Sequence, residues 1–392
     1  MYKLFIKTKG ATRPFRYIFV AALFLAFHYF LVVYINSTFL GQTIHREAIG
    51  WLYAVGALIN IVALLKMPRW LSKHGTYSVM LLISILEIAL LCLMAVSSSP
   101  FLILAAFVIH HALTPLILMC LDVTIEDCAP SNEIGKIRGS FLTILAIASV
   151  ISPLVMGAFL AGNNGFEQIY LFSAMFMVLF TLTVWRNFAK SERGVYKALN
   201  IKKEIKEFWR DRNIRNIGFC NVVLQFFFSW MVVYIPIYLL EVGGFTWSEV
   251  GMMISITLLP FILLEIPVGE MADKRFGEKE MLIIGLLVAA FATLFLPFLP
   301  PGNFVLWTAV LFAARAGASV IETMIESYFF KKTKGCDELI AVFRMGTPIA
   351  FILGPALGSI ALLLVGFEHI FFLLTAVLIL GTFFGARIKD TL

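Results

Sequence analysis

Charged and histidine side chains inside long apolar stretches are the residues of this sequence best suited to chemistry. Arg315 lies near the middle of one such stretch, and Glu322 follows seven residues later on nearly the same helix face. An ionisable group is costly in hydrocarbon, so each one is a candidate site by default. Arg315 therefore either binds a polar or anionic substrate or neutralises an acid from another helix.

Two adjacent histidines, His110 and His111, lie midway along another apolar stretch, and His28 lies in the first one. His111 and Asp122 share a helix face, whereas adjacent histidines point about 100° apart. A histidine that gains and loses a proton near neutral pH, with carboxylates on the same path, suits proton coupling. The alternative is that each histidine is held by a hydrogen bond within a helix interface.

Further polar candidates lie in two other stretches. Glu265 could carry the coupling proton, because burial favours a protonated carboxyl, or it could be the partner of the arginine. A polar and aromatic run with Asn221, Gln225 and Trp230 suits an amphiphilic or aromatic ligand. The chain has 38 Phe residues, so lipid packing explains most aromatics, and Gln225 and Trp230 rise above that background.

The stretches that position these residues are long enough to be transmembrane helices. The chain of 392 residues is 60% hydrophobic and only 14% charged, so lipid must be its solvent over much of its length. The apolar runs are continuous and not alternating, which favours helices over a barrel. Twelve spans are predicted, at residues 16–40, 46–66, 77–97, 100–121, 139–162, 167–188, 213–240, 246–268, 279–299, 303–327, 340–365 and 368–388.

Positive charge orients these spans. All but two of the 31 Lys and Arg residues lie in the termini or in alternate loops, and the exceptions are Arg46 and Arg315. By the positive-inside rule, both termini and those loops are cytoplasmic. The net charge of +7 then indicates a rim facing anionic headgroups and no nucleic-acid partner. The five scattered cysteines suggest neither a metal site nor a disulfide framework.

The second six spans are a diverged copy of the first six. The run Val32–Ile35 recurs as Val232–Ile235, and Gly75 recurs as Gly277. Many transporters are built from such repeats, with the substrate site between them. We predict an all-α membrane protein of 12 transmembrane helices in two pseudo-symmetric six-helix bundles. The predicted domains are residues 1–188, a cytoplasmic linker at 189–212 with an interfacial amphipathic helix, and residues 213–392.

The loop between spans 8 and 9 carries a motif. Its residues, from Gly269 through Asp273 and Gly277 to Lys279, resemble the Gly-x-x-Ala-Asp-Arg/Lys signature of the major facilitator superfamily. The twelve spans, the repeat, the cytoplasmic termini and the basic central loop resemble that family over essentially the whole chain. One extra residue separates Asp273 from Gly277, and the equivalent loop between spans 2 and 3 lacks the acid. The resemblance therefore implies a conformational latch mainly in the second half.

That latch would join the loop to neighbouring helices on the cytoplasmic side. The resemblance implies that Asp273 faces the start of span 5 near Arg138. It also implies that Lys274 or Arg275 pairs with Glu326 at the inner end of span 10. An acid near a helix N-terminus is stabilised by the partial positive charge there. These contacts would close the cytoplasmic side and break when it opens.

The same reasoning assigns roles to other residues on the cytoplasmic side. Gly269 and Gly277 would allow the tight turn, and Glu322 and Asp122, near the inner ends of spans 10 and 4, are expected to act in gating. The family arrangement puts spans 1, 4, 7 and 10 around a central cavity and spans 3, 6, 9 and 12 outside it. Glu87 in span 3 is therefore expected to be peripheral.

Together these features predict a secondary active transporter that works by alternating access, is coupled to protons and exports a small amphiphilic compound. The alternatives are proton-coupled uptake of a polar or anionic solute, a non-transporting membrane sensor, and a membrane-embedded enzyme. No nucleotide-binding loop occurs, so we expect no cofactor and no enzymatic activity. The expected partners are a small-molecule substrate, protons and the lipid bilayer. We expect a monomer in the plasma membrane, the inner membrane of a bacterium, with both termini cytoplasmic.

Overall fold

The computed structural model describes residues 15–128, 134–162, 165–188, 201–333 and 337–389. These residues form helices joined by short turns, and no strand occurs among them. Eleven helical stretches of the described part are long and apolar enough to cross a membrane. One runs 52 residues, from Trp247 to Phe298, and holds two crossings separated by a turn at Gly277. The predicted all-α membrane fold with twelve crossings is confirmed.

The described residues of the first half form seven helices. Span 1 consists of α1 and the short α2, and each later span is one helix. The helices are α1 (Phe15–Val32), α2 (Asn36–Gly41), α3 (Arg46–His74), α4 (Thr76–Val96), α5 (Pro100–Cys128), α6 (Ile134–Ala161) and α7 (Phe166–Asn187).

The helices of the second half are interrupted more often than those of the first. Span 7 is α9 with α10, span 8 is α11 to α13, span 9 is α14, span 10 is α15, span 11 is α16 with α17, and span 12 is α18. The helices are α8 (Ile201–Arg210), α9 (Arg212–Val233), α10 (Ile235–Glu241), α11 (Trp247–Leu258), α12 (Pro260–Leu263), α13 (Glu265–Met271), α14 (Gly277–Phe295), α15 (Phe304–Lys332), α16 (Asp337–Arg344), α17 (Gly346–Val365) and α18 (Phe371–Gly385). A π-helical turn, Ala272–Phe276, joins α13 to α14, and 3-10 turns lie at Leu296–Phe298 and Phe367–His369.

The repeat in the sequence recurs in the backbone conformation. Span 1 breaks after Val32, and span 7 breaks after Val233, one residue beyond the position that corresponds to Val32. Gly75 before α4 and Gly277 at the start of α14 have φ values of 80° and 75°. An L side chain disfavours that conformation, so both short inner loops need glycine for the same turn.

Polar side chains cap the N-termini of several helices in the second half. Asp211 accepts hydrogen bonds from two N–H groups in the first turn of α9. Thr246 and Glu249 form a capping box at the start of α11, and the Asn303 side chain caps α15. Each cap satisfies N–H groups that a helix leaves unpaired at its start. These caps define where the spans of the second half begin.

Packing divides the chain into two compact units. The first unit contains residues 1–43 and 55–198, and the second contains residues 44–54 and 199–392. The short segment at 44–54 therefore differs from the predicted domain boundary. Within the predicted linker, residues 189–200 lie outside the described residues, and α8 packs on α9 and α16.

The segment 44–54 is held in the second unit by a close backbone approach. A Cβ atom built on Gly50 would lie 1.9 Å from the backbone oxygen of Pro355. Only glycine fits at that distance. Arg46, at the start of the same helix, forms an ion pair with Glu241, and its guanidinium carbon lies 4.4 Å from the ring centre of Phe367.

Candidate functional site

Three ionisable side chains of the first unit meet midway along their helices. His28 comes from α1, Glu87 from α4 and His110 from α5, and their exposed fractions are 0%, 0% and 3%. His110 Nδ1–H donates a hydrogen bond to Glu87 Oε1. His28 Nε2 lies 3.3 Å from the same oxygen. We call these three residues the His–Glu–His cluster.

Ser173 on α7 determines which nitrogen of His28 carries its proton. The single hydroxyl hydrogen of Ser173 is donated to the backbone oxygen of His28 at 3.1 Å. Its Oγ therefore accepts a hydrogen bond from His28 Nδ1–H at 2.8 Å. In neutral His28 the proton is then on Nδ1, and Nε2 is an acceptor that faces a carboxylate oxygen. A proton added at Nε2 would turn this repulsive contact into a hydrogen bond to Glu87.

The charge of the cluster favours that added proton. A carboxylate with two neutral imidazoles carries one negative charge, and an unbalanced charge buried away from water is costly. One more proton makes the cluster neutral. His28 Nε2 and Glu87 Oε2 are both sealed from solvent and have no hydrogen-bond partner among the described residues. The cluster can therefore take up one proton at a defined atom.

Glu87 is not peripheral, so that expectation is wrong. It lies on the inward face of α4, one turn from the buried Ser84, and its carboxylate reaches α1 and α5. A mid-membrane acid has to face protein or water because lipid does not solvate it. The paired polar positions Ser84 and Glu87 were the sequence signal that could have identified this face.

His111 does not join the cluster. Its ring stacks on Phe107 with centres 5.9 Å apart, and a Cβ built on Gly56 of α3 would lie 2.9 Å from its Cδ2. Asp122 is half-buried three turns further along α5. His111 and Asp122 therefore lie outside the cluster.

The ligand atoms of the cluster lie within 4.8 Å of one another, which is close enough to raise the question of a metal ion. His110 Nδ1 and Glu87 Oε1 point at each other across a hydrogen bond. Metal ligands instead point at a common centre, with each lone pair directed at the ion. The geometry of the described cluster fits a proton shared between side chains and does not fit a metal ion.

In the second unit, Arg315 lies in the middle of α15 with 5% of its surface exposed. No described residue accepts a hydrogen bond from its guanidinium, and its nitrogens are not among the atoms that are sealed from solvent. Glu265 is exposed and Glu322 is half-buried. Among the described residues, no ion pair joins Glu265 to Arg315, so the expected pairing is wrong for this structure.

The candidates on α9 differ in what their polar atoms do. Trp230 Nε1–H donates to the backbone oxygen of Gly354 at 3.0 Å, and Asn221 donates to the backbone oxygen of Phe343 at 2.9 Å. Both side chains are buried and join α9 to span 11. Gln225 is half-buried and makes no hydrogen bond to another described residue. Gln225 is thus a polar group of this helix that remains available to a ligand.

The predicted cytoplasmic ends of the helices in the second unit carry a network of ion pairs. Lys331 at the end of α15 pairs with Asp273 at 2.7 Å and also with Glu278, whose side chain is only 1% exposed. Lys274 pairs with Glu270 at 2.8 Å in an exposed contact. Asp273 is thus tied to α15 within its own unit.

The expected pairing of Glu326 with Lys274 or Arg275 is wrong. Glu326 instead accepts two hydrogen bonds from the guanidinium of Arg344 at the end of α16. A lysine cannot form this bidentate pair with a carboxylate. Gly277 provides the turn of this loop, whereas Gly269 has open space beside it, with only Thr323 within 4 Å of an added Cβ. The side chain of Arg138 lies outside the described residues.

An apolar groove of about 520 Å³ lies along α14 and α15 and includes Phe291 and Phe295. Its lining residues are all apolar, and both phenylalanines are exposed. No candidate polar residue borders it. This groove is therefore a lipid-facing surface and separate from the clusters described above.

Comparison with known proteins identifies the fold. The model of the Major Facilitator Superfamily matches residues 18–335 and 244–390. No curated protein matches the chain. Solved structures with the same fold include a bacterial homologue of the human lysosomal transporter Spinster in an inward-facing, occupied conformation. That structure is 13% identical, covers 96% of this chain and 97% of its own, and has a TM-score of 0.73.

Two further structures are similar over nearly the whole chain. A peptide transporter in complex with sulfate is 12% identical, with coverages of 94% and 93% and a TM-score of 0.74. A D-xylose–proton symporter is 14% identical, with coverages of 96% and 98% and a TM-score of 0.71. At these identities the likeness concerns the fold and not the substrate.

Proposed function

The chain belongs to the major facilitator superfamily, and from that premise we propose that it is a proton-coupled secondary active transporter. Its halves would expose a central site alternately to the two sides of the membrane, as the internal repeat suggests. Our first proposal for the direction is export of a small amphiphilic compound. The family and the structural neighbours are transporters, and we propose no enzymatic activity.

The His–Glu–His cluster is the observation that carries the proton coupling. It holds a carboxylate between two imidazoles, buried midway along the spans, with a nitrogen that gains a hydrogen bond when it is protonated. Histidine is the side chain whose ordinary pKa lies near physiological pH. Loss of the proton would leave a buried charge unbalanced, so release requires a conformation in which water reaches the cluster.

The cluster also supports a link between protonation and conformation. Hydrogen bonds join α1 to α7 and α5 to α4, and a proton on His28 Nε2 would add one between α1 and α4, so a change at one proton alters contacts among four helices. A ligand shifts a conformational equilibrium only by its differential affinity for the two states. A proton bound tightly in one state and released in the other provides that difference.

The inner charge network is our proposal for the cytoplasmic latch. Asp273 and Glu278 share Lys331, and these contacts tie the loop between spans 8 and 9 to the end of α15. Movement of this loop would have to break an ion pair that includes a buried carboxylate. Arg275, Glu322 and Asp122 remain proposed gating residues.

Uptake of a polar or anionic solute is the second candidate function. The charge of Arg315 favours it, because a buried guanidinium without an acceptor among the described residues suits a substrate that brings its own anion. For either direction we propose a monomer in the plasma membrane, the inner membrane of a bacterium, with both termini in the cytoplasm.

Flux measurements in proteoliposomes test the proposal. Purified native protein is reconstituted, and uptake of each member of a library of small amphiphilic compounds is recorded with and without an imposed pH gradient. We expect at least one compound to move faster with the gradient and not in protein-free liposomes. If no compound responds to the gradient while some move without it, the protein is a transporter without proton coupling.

A further inference from the structure

Arg315 is a permanent cation without an anionic partner among the described residues of its unit. A guanidinium does not lose its proton at accessible pH, so burial cannot neutralise it. Glu322 and Glu326 lie two and three turns further along α15, and Glu326 is paired with Arg344. Among the described residues, no ion pair joins Glu322 to Arg315.

The face of α15 that carries Arg315 packs against α12 one turn further along. Ser319, one turn later on that face, donates a hydrogen bond at 3.2 Å to the first backbone carbonyl of α12. The next residue of α12 is Phe261, whose ring centre lies 5.7 Å from that of Phe228 on α9. Gln225 lies one turn before Phe228 on α9 and has no hydrogen bond to a described residue.

These groups offer one cation, one amide and apolar rings. A guanidinium pairs with a carboxylate through two parallel hydrogen bonds, and charge-assisted bonds of this kind are stronger than neutral ones. A single positive charge balances a monoanion. The aromatic side chains would contact the apolar part of the same molecule.

We propose that the transported compound is an amphiphilic organic anion, with a carboxylate that binds Arg315 and an apolar body that lies against Phe228 and Phe261. This inference rests on the proposed transport function and adds the substrate class. It places the recognition of charge in the second unit, apart from the proton cluster of the first unit.

Ligand-dependent thermal stabilisation of the full-length protein in lipid nanodiscs tests the inference. The probes are naphthalene-2-carboxylate, the uncharged naphthalene-2-carboxamide and the cationic naphthalen-2-ylmethylammonium, and the series is repeated with decanoate and phenylacetate and their amides. We expect carboxylates to bind about ten times more tightly than their amides, which corresponds to the strength of a charge-assisted hydrogen bond. The preference should disappear in Arg315→Gln and persist partly in Arg315→Lys.

Arg387→Gln is the matched control, because Arg387 lies over the exposed ring of Phe383 at the end of α18, away from the proposed site. It should bind carboxylates as the native protein does. Each variant is first checked for a monodisperse profile and a cooperative melt. If Arg315→Gln fails this check, Arg315→Lys and the native comparison of acid with amide decide the result.

Equal binding of acid and amide, preference for the ammonium probe, or no binding of any carboxylate would overturn the inference. These outcomes are separate from the failure of the transport proposal. Gradient-driven flux of neutral or cationic compounds would support the transport proposal and contradict the anionic substrate class. Arginine-dependent carboxylate binding without any gradient-driven flux would support the anionic ligand and contradict proton-coupled transport.

Discussion

Glu87 on α4 accepts a hydrogen bond from His110 on α5, and both side chains are buried midway along their helices. The bond joins two neighbouring spans at a depth where lipid solvates neither group. His28 faces the same carboxylate oxygen from a third helix. A buried acid between two imidazoles holds or releases a proton according to whether water can reach it, which is the property that a coupled transporter requires.

Ser173→Ala should destabilise the first unit. The hydroxyl both donates to the backbone of His28 and accepts from its ring, so its loss leaves buried polar groups unsatisfied. We expect the free energy of unfolding to fall by about 1–3 kcal/mol. Ser149→Ala is the control, because that hydroxyl bonds only within its own helix. Equal loss in both variants, measured by unfolding in mixed micelles, would mean that Ser173 has no special role.

Lys331→Gln should cost more stability than Lys274→Gln. Lys331 is the partner of Glu278, which is 1% exposed, whereas Lys274 pairs with an exposed acid. Removing the cation beside the buried carboxylate of Glu278, which also accepts a hydrogen bond from Ser327, should lower the free energy of unfolding by roughly 1–3 kcal/mol, since partial exposure of Lys331 reduces the cost. The exposed pair should contribute less than about 0.5 kcal/mol. Indistinguishable variants would show that the network adds little to folding.

Gly50→Ala should detach the segment 44–54 from α17. The new Cβ would meet the backbone oxygen of Pro355, which cannot rotate away, and would also press on Ser359. We expect a Ser359→Cys probe, buried in the native background, to react with a maleimide when Gly50→Ala is present. Gly139→Ala is the control, because nothing lies within 4 Å of its added Cβ. Unchanged labelling in the Gly50→Ala background would contradict the close packing described here.

Much of the fold follows from one-dimensional patterns. Continuous apolar runs and the alternation of Lys and Arg between loops depend only on position along the chain, so they predict the spans. Which side chains meet between spans depends on how each helix is rotated about its axis, and a run that is apolar on all sides carries little information about that rotation. The role of Glu87 and the pairing of Glu326 with Arg344 were missed for this reason.

The charge moved per transport cycle separates the two candidate directions. Export of one monoanion in exchange for one entering proton moves two positive charges inward, and each charge contributes about 2.3 kcal/mol per 100 mV. Uptake of the monoanion together with one proton moves no net charge. We expect an inside-negative potential, imposed with potassium and valinomycin, to increase the rate of carboxylate flux in proteoliposomes. A rate independent of the potential would contradict export by exchange and favour uptake.

The most direct test of proton coupling compares Glu87→Gln with the native protein in the same flux assay. Glutamine keeps the size of Glu87 but removes the negative charge that favours an added proton on His28 Nε2. Glu167→Gln is the matched control, because Glu167 is an exposed acid of the same unit. We expect the native protein and the control to move substrate faster under a pH gradient, and Glu87→Gln to exchange substrate at a rate that the gradient does not change. A full response to the gradient in Glu87→Gln would contradict the account.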